Sequence, residues 1–228
     1  GQSVTFTATV TPQGTGAPAG TVTFNDGATA ICSNVTLDGS AQATCTTSSL
    51  STTTHSMTAV YAGNSSFTTS TSPAVSQVVN KGNTTTAVTS SANPANFAQS
   101  VTFSATVSAT APAAGTPSGT VTFKDGATTV CGPVALVAAA ATCATSTLTV
   151  GSHSITVDYA GDTNFNTSTS SALNQVVNKT DTTNALVVAP VSPTVFGRSV
   201  ALTSTVAAVA PGGGVPTGSV TFLDGATL

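Results

Sequence analysis

The sequence has no tryptophan and no glutamate, and only four basic residues among 228. Seven aspartates against three lysines and Arg198 leave a net charge of −3. Such a chain has no electrostatic footprint for nucleic acid or for an anionic lipid surface. No stretch approaches the 18 or so consecutive apolar residues of a transmembrane span, so no membrane insertion is expected. No Cys-x-x-Cys or Cys/His spacing suits zinc. Neither end carries a signal peptide or anchor, so a targeting segment is expected outside the chain or already removed. Disordered chains combine low hydrophobicity with high net charge, and this one has neither.

What is present is repetition. Gly20-Thr21-Val22-Thr23-Phe24-Asn25-Asp26-Gly27 returns as Gly119-Thr120-Val121-Thr122-Phe123-Lys124-Asp125-Gly126, and again as Gly218-Ser219-Val220-Thr221-Phe222-Leu223-Asp224-Gly225. Cys32, Cys45, His55, Tyr61 and Phe67 recur as Cys131, Cys143, His153, Tyr159 and Phe165, and Gln77-Val78-Val79-Asn80-Lys81 as Gln175-Val176-Val177-Asn178-Lys179. A period of roughly 98 residues is that of a whole domain, not of a solenoid. The reading is three units: 1–81 without its first strand, 82–179 complete, and 180–228 with N-terminal strands only. Junctions of about four residues limit the angles between units, so a semi-extended rod is expected.

Val101, Phe103, Ala105 and Val107 alternate with polar residues, as do Val4, Phe6, Ala8 and Val10, which is the period of a half-buried strand. Val121 and Phe123, then Ile155, Val157 and Tyr159, repeat the pattern. In the third unit Val200, Leu202 and Val206, then Val220 and Phe222, predict further strands. Serine and threonine make up a third of the chain, turn dipeptides punctuate it, and no helical period occurs. The fold expected is an all-β sandwich of about seven short strands per unit. Strands of ten or twelve residues at about 3.3 Å each give an axial advance of roughly 35–45 Å per domain. Gln175-Val176-Val177 leaves the inward face of the last strand open.

The cysteines fall one pair per repeat, Cys32 with Cys45 and Cys131 with Cys143, at like positions. They read as one local disulfide per domain, stapling neighbouring strands of a hairpin, in an oxidising compartment. Free, buried, inert cysteines are the alternative.

The run Gly-Thr-Val-Thr-Phe-x-Asp-Gly, then Cys…Cys, then His153 to Phe165 (His-Ser-Ile-Thr-Val-Asp-Tyr-Ala-Gly-Asp-Thr-Asn-Phe) resembles the bacterial immunoglobulin-like repeats of the group 3 type. The resemblance spans essentially the whole chain. It implies tandem immunoglobulin-like β-sandwich domains in large secreted or cell-surface proteins, as stalks, adhesin shafts or accessory modules, with no catalytic residues to carry over. The first repeat departs from the second at Asn64, where the second has Asp162.

Each candidate site has a plain structural reading. His55 and His153 share the parity of the inward residues and read as structural histidines at a strand start, since no sequence-local triad or nucleophile-elbow motif accompanies either. Asp26, Asp125 and Asp224 each precede glycine at a strand end and read as turn residues bonding turn backbone, because calcium asks for several carboxylates. Tyr61 and Tyr159 read as core. Neither a catalytic set nor a metal or cofactor is expected. Asn34, Asn64, Asn83, Asn166 and Asn178 carry the Asn-x-Ser/Thr pattern, and the hydroxyl-rich faces could accept O-linked sugars, so glycans are possible.

The expected function is the non-catalytic shaft of an extracellular bacterial fibre, filament or surface adhesin. Its partners would be adjacent repeats or copies of itself, end to end. The alternative is a carbohydrate- or protein-binding accessory module of a larger secreted enzyme, which would call for exposed aromatic residues. The ends of the sequence admit a window on a longer array or completion of one chain by another through strand donation.

Overall fold

Alternating β-branched and polar residues suit a pleated surface with one buried face, and the first two repeats take that form, whereas β17 in the third is exposed along its whole length. The computed structural model describes residues 1–225. In it the chain forms β1 (Val4–Thr9), β2 (Thr21–Asp26), β3 (Thr29–Thr36), β4 (Gln42–Thr47), β5 (Thr54–Tyr61), β6 (Ser70–Thr71), β7 (Val75–Val78), β8 (Thr84–Ser90) and β9 (Ala95–Asn96). These are followed by β10 (Val101–Ala109), β11 (Thr120–Asp125), β12 (Thr128–Ala135), β13 (Ala140–Thr145), β14 (Gly151–Tyr159), β15 (Ser168–Thr169), β16 (Leu173–Asn178), β17 (Thr182–Ala189) and β18 (Ala201–Ala208). Among the described residues no helix is long and apolar enough to cross a membrane. The longest strands, β10 and β14, have nine residues, fewer than the ten or twelve expected.

Two compact units emerge. The first takes in Gly1–Thr85 with Val107–Gly119 and Ala160–Ser168; the second takes in Thr86–Thr106, Thr120–Tyr159 and the chain from Thr169 on. In the first, β1 pairs with β4, and a second sheet runs β3-β2-β5-β6 with β7 also on β5. Register sets Phe6 opposite Cys45 and Ala8 opposite Ala43 in one sheet, and Val22 opposite Tyr61 and Phe24 opposite Ala59 in the other. These inward positions close a core of Val22, Phe24, Leu37, Ala43, Cys45 and Tyr61.

The second unit holds a three-stranded sheet, β13-β10-β8, and a larger one, β12-β11-β14-β16-β9. Phe103 stands opposite Cys143, Val121 opposite Tyr159 and Phe123 opposite Val157. Phe103, Phe123, Ile155 and Val157 are completely buried, and each such side chain stabilises the fold by roughly 1.5–3 kcal/mol. The face left open by Gln175-Val176-Val177 resolves with Gln175 and Val177 inward.

The hairpin turns between β2 and β3 and between β11 and β12 each open on a glycine, Gly27 at φ +56° and Gly126 at φ +55°. That left-handed conformation disfavours any residue with a Cβ, which accounts for the recurring Asp-Gly.

Two expectations need correction. Cys32 lies on β3 and Cys45 on β4, strands that follow one another in sequence but belong to different sheets. Cys131 on β12 and Cys143 on β13 repeat this. The bridges therefore cross the core from sheet to sheet instead of stapling one hairpin. A short connection between two strands reads alike whether the chain turns back within a sheet or passes to the facing one. In the third unit β17 and β18 form and pair with each other, but no strand forms around Val220 and Phe222. In that stretch Asp224 takes part in a single β-bridge.

Candidate functional site

The second repeat's strand β11 ends at Asp125, and its neighbour β14 carries His153 near its start. Antiparallel pairing of these strands brings the two side chains together although they lie 28 residues apart. His153 Nδ1 stands 2.6 Å from Asp125 Oδ2, and its Nε2 stands 2.8 Å from the Thr149 carbonyl oxygen. The first repeat builds the same arrangement: His55 Nδ1 is 2.7 Å from Asp26 Oδ2, and Nε2 is 2.9 Å from the Ser51 carbonyl. A carboxylate and a carbonyl only accept, so both ring nitrogens must donate, and the ring that satisfies both is the imidazolium. For His55 the Ser51 carbonyl and then the Asp26 carboxylate raise the pKa above 6.5, against the pull of burial. For His153 burial acts downward most strongly, yet the Thr149 carbonyl and Asp125 together outweigh it and the pKa is again raised.

Asp26 and Asp125 thus occupy the turns read from the sequence, but their carboxylates reach histidine instead of the turn backbone. The Asp125 carboxylate also accepts the Ser154 N–H at 3.1 Å, across the sheet. Asp224 is exposed. Tyr61 and Tyr159 are buried, and the Tyr61 hydroxyl donates to the Ala19 carbonyl at 2.7 Å.

The loops after Tyr61 and Tyr159 share a frame. Gly63 and Gly161, at φ +76° and +77°, bring backbone so close that a Cβ would stand 2.9 Å from the Phe67 and Phe165 carbonyl oxygens. In the next position Asn64 Oδ1 accepts the N–H groups of Ser66 and Phe67, and Asp162 Oδ1 accepts those of Asn164 and Phe165. The two differ at the other terminus. Asn64 Nδ2 donates to the Ala19 carbonyl at 2.9 Å, whereas Asp162 Oδ2 accepts the N–H and hydroxyl of Ser118 at 2.8 and 2.7 Å. Burial works against the Asp162 charge, but the Ser118 hydroxyl and the three N–H donors outweigh it and lower the pKa to about 2. All of these partners are protein donors, so the carboxylate acts as a loop clamp. Among the described residues, no group of three or more His, Cys, Asp or Glu is placed to hold a metal ion.

Two more interactions belong to the second repeat. Gln175, fully buried, accepts the Ser90 hydroxyl at 2.6 Å and donates to the Ala92 carbonyl at 2.9 Å, so the amide ties the end of β8 to β16. Lys124 pairs with Asp158 at 2.6 Å, and with the Thr169 hydroxyl it lowers the Asp158 pKa. The sequence reading missed these contacts and both Asp–His pairs. The one signal for the Asp–His pairs was the parallel recurrence of aspartate and histidine, 29 residues apart in the first repeat and 28 in the second.

The first unit contains a cleft of about 570 Å³ lined by Phe6, Ala8, Val10, Phe24, Tyr61 and flanking threonines. The equivalent strand of the second repeat, β10, carries β8 along its edge.

A family model described as bacterial Ig-like domain (group 3) matches residues 1–80 and 88–178, well over half of the chain. The chain belongs to the bacterial Ig-like domains of group 3. No curated protein sequence matches it. Among solved structures it is similar to the fibronectin(III)-like modules of Clostridium thermocellum CbhA, at 19% identity and a TM-score of 0.33, over 78% of this chain and 87% of that one. It is also similar to a chimeric titin Z1Z2-Z1Z2 tandem functionalized with a GRGDS peptide, at 16% identity and TM-score 0.29, over 78% of this chain and 92% of that one. A third, the N-terminal Ig1-2 module of the Drosophila receptor protein tyrosine phosphatase DLAR, is 10% identical at TM-score 0.26, covering 78% and 91%. An Ig-like tandem of this kind is a structural or accessory module, and its disulfides suit an extracellular environment.

Proposed function

We propose that this group 3 Ig-like tandem is a non-catalytic structural segment, the shaft of an extracellular bacterial fibre, filament or surface adhesin. The observation that carries the reading is where the chain places its distinctive side chains. Tyr61, Tyr159, Phe24, Phe103, Phe123 and Phe165 are buried, both histidines and their aspartates are consumed in internal bonds, and all four cysteines are joined. A binding module needs exposed aromatic anchors or convergent polar groups. Here the tyrosines and four of the nine phenylalanines brace the domain interior; Phe97, Phe196 and Phe222 are exposed but far apart in sequence, and the rest of the surface is rich in hydroxyls.

The partners proposed are neighbouring Ig-like repeats or further copies, end to end, with glycans as a possible decoration of the threonine-rich faces. The domains follow the repeat, 1–81, 82–179 and 180–228. Electron microscopy of native secreted or surface material tests the reading. Fibres with an axial repeat of about one domain, near 30 Å of strand plus its turns, support it. Flexible rods that end in a separate globular mass overturn it in favour of an accessory spacer.

A further inference from the structure

We propose that the Asp–His pairs are protonation-dependent clips, one per repeat, that fasten the segment before β5 and the segment before β14 to the end of the adjacent strand, and that release when the imidazole loses a proton. The inference holds whether the tandem serves a fibre or an accessory module.

Geometry carries it. Each imidazole is held between two groups that can only accept: Asp26 Oδ2 and the Ser51 carbonyl for His55, Asp125 Oδ2 and the Thr149 carbonyl for His153. A neutral imidazole has one N–H, so removal of the second proton turns one of these contacts into a lone pair facing an oxygen. The carboxylate retains the remaining N–H best, because a charge-assisted bond is the stronger. The backbone carbonyl is then the contact that is lost, and with it the hold on residues 48–53 and 146–150. Both segments lie largely exposed. Among the described residues, 146–150 are otherwise tied only through Thr147 to Thr145. Residues 48–53 are also held by the Thr53 N–H to the Ser51 carbonyl, the Val79 N–H to the Thr53 carbonyl and the Thr52 hydroxyl to the Thr163 carbonyl. The release is therefore expected to be larger in the second repeat.

The surroundings leave the aspartates to set the response. Across the sheet in register, His55 meets Gln77 and His153 meets Gln175, which carry no charge. Lys124, next to Asp125 in sequence, is committed to Asp158. The first repeat has Asn25 at that position and builds its clip without the lysine. Two independent copies of one geometry, in sequences that differ around them, mark it as a property of the repeat.

The direction follows from linkage. Both histidines are raised above 6.5 in the folded chain. Their stabilisation is therefore complete below the unfolded value and is lost as pH rises through the folded one. The fold should be firmest in mildly acidic surroundings and loosen at these two places on the alkaline side.

The test uses the whole chain. Titration of the two imidazole Cε1–H signals by NMR gives each midpoint directly, and melting curves from about pH 5 to about pH 9 give the effect on stability. Wild type is compared with the double variant D26N/D125N, in which the charge is removed and the shape kept. Expected are wild-type midpoints above 6.5, lower midpoints in the variant, and a wild-type melting temperature that falls with rising pH more steeply than the variant's. Wild-type midpoints at or below 6.5 overturn the proposal, as does an equal fall in both proteins. Should the variant fail to fold, the wild-type titration alone decides.

Discussion

The two repeats share a sheet-to-sheet disulfide, an Asp–His clip and a glycine-led loop clamp, yet they bury their cores to different depths. In the second, β8 lies along β10, Gln175 ties β8 to β16, and Phe103 is sealed from solvent. In the first, Phe6, at the position of Phe103, lines an open cleft. Gln77, the counterpart of Gln175, donates to the carbonyl of its neighbour Val78. The contrast lies in what β8 covers. Disulfide, clip and loop clamp are common to both repeats; the seal over Phe103 and the buried glutamine lock accompany β8.

The largest expected effect tests that contrast. Phe103→Ala should destabilise its unit by about 3–5 kcal/mol, the usual cost of emptying a closed aromatic site. Phe6→Ala should cost about half of that or less, because its site already opens to water. Urea unfolding of each variant measures both, and equal losses would break the comparison.

Removing a disulfide should act alike in the two repeats. The bridges close loops of similar length, with separations of 13 and 12 residues, so C32A/C45A and C131A/C143A should each cost about 3 kcal/mol. Denaturation midpoints that differ strongly between the two would show that β8 shares the work of the bridge.

Gln175→Leu leaves the Ala92 carbonyl and the Ser90 hydroxyl without their amide partner and should cost about 1–3 kcal/mol. Gln77→Leu, whose amide bonds its own strand, should stay within about 0.5 kcal/mol. Hydrogen exchange along β8 and β16 would localise the first effect.

The smallest effect concerns the loop clamps. Asp162→Asn presents an amide to the two Ser118 donors, and Asn64→Asp presents a carboxylate to the Ala19 carbonyl; each should cost about 1 kcal/mol. Ser118→Ala should recover part of the Asp162→Asn loss, a coupling that a double-mutant cycle reads. Asp162 is lowered from 3.8 to about 2, so its stabilisation is present above pH 3.8 and disappears as pH falls toward 2. Acid melting curves of D162N should lack that part of the decline.

Much of this was legible in the sequence. Strict alternation from Val101 to Val107 and from Ile155 to Tyr159 marks one buried face, because side chains on a strand leave no other choice of parity. The repeat itself predicted the family and the all-β class. The route of the disulfide was not legible: residues 37–41 carry the chain between sheets, and nothing in their composition distinguishes that path from a hairpin. The Asp–His pairs were not legible because their contact depends on which strands become neighbours, and β2 finds β5 across an intervening pair. Gln175 escaped because a buried amide among valines offers no periodicity of its own.

The placement of the bridges also matters for a chain under tension. Pulled from its ends, an Ig-like domain yields slack as its strands peel away, but residues between bonded cysteines stay out of the extended path. At about 3.5 Å per residue, separations of 13 and 12 residues withhold roughly 45 and 42 Å of contour from the first and second repeats. A reductant would release that reserve, so the reach of a stretched array would depend on the thiol chemistry of the medium around it.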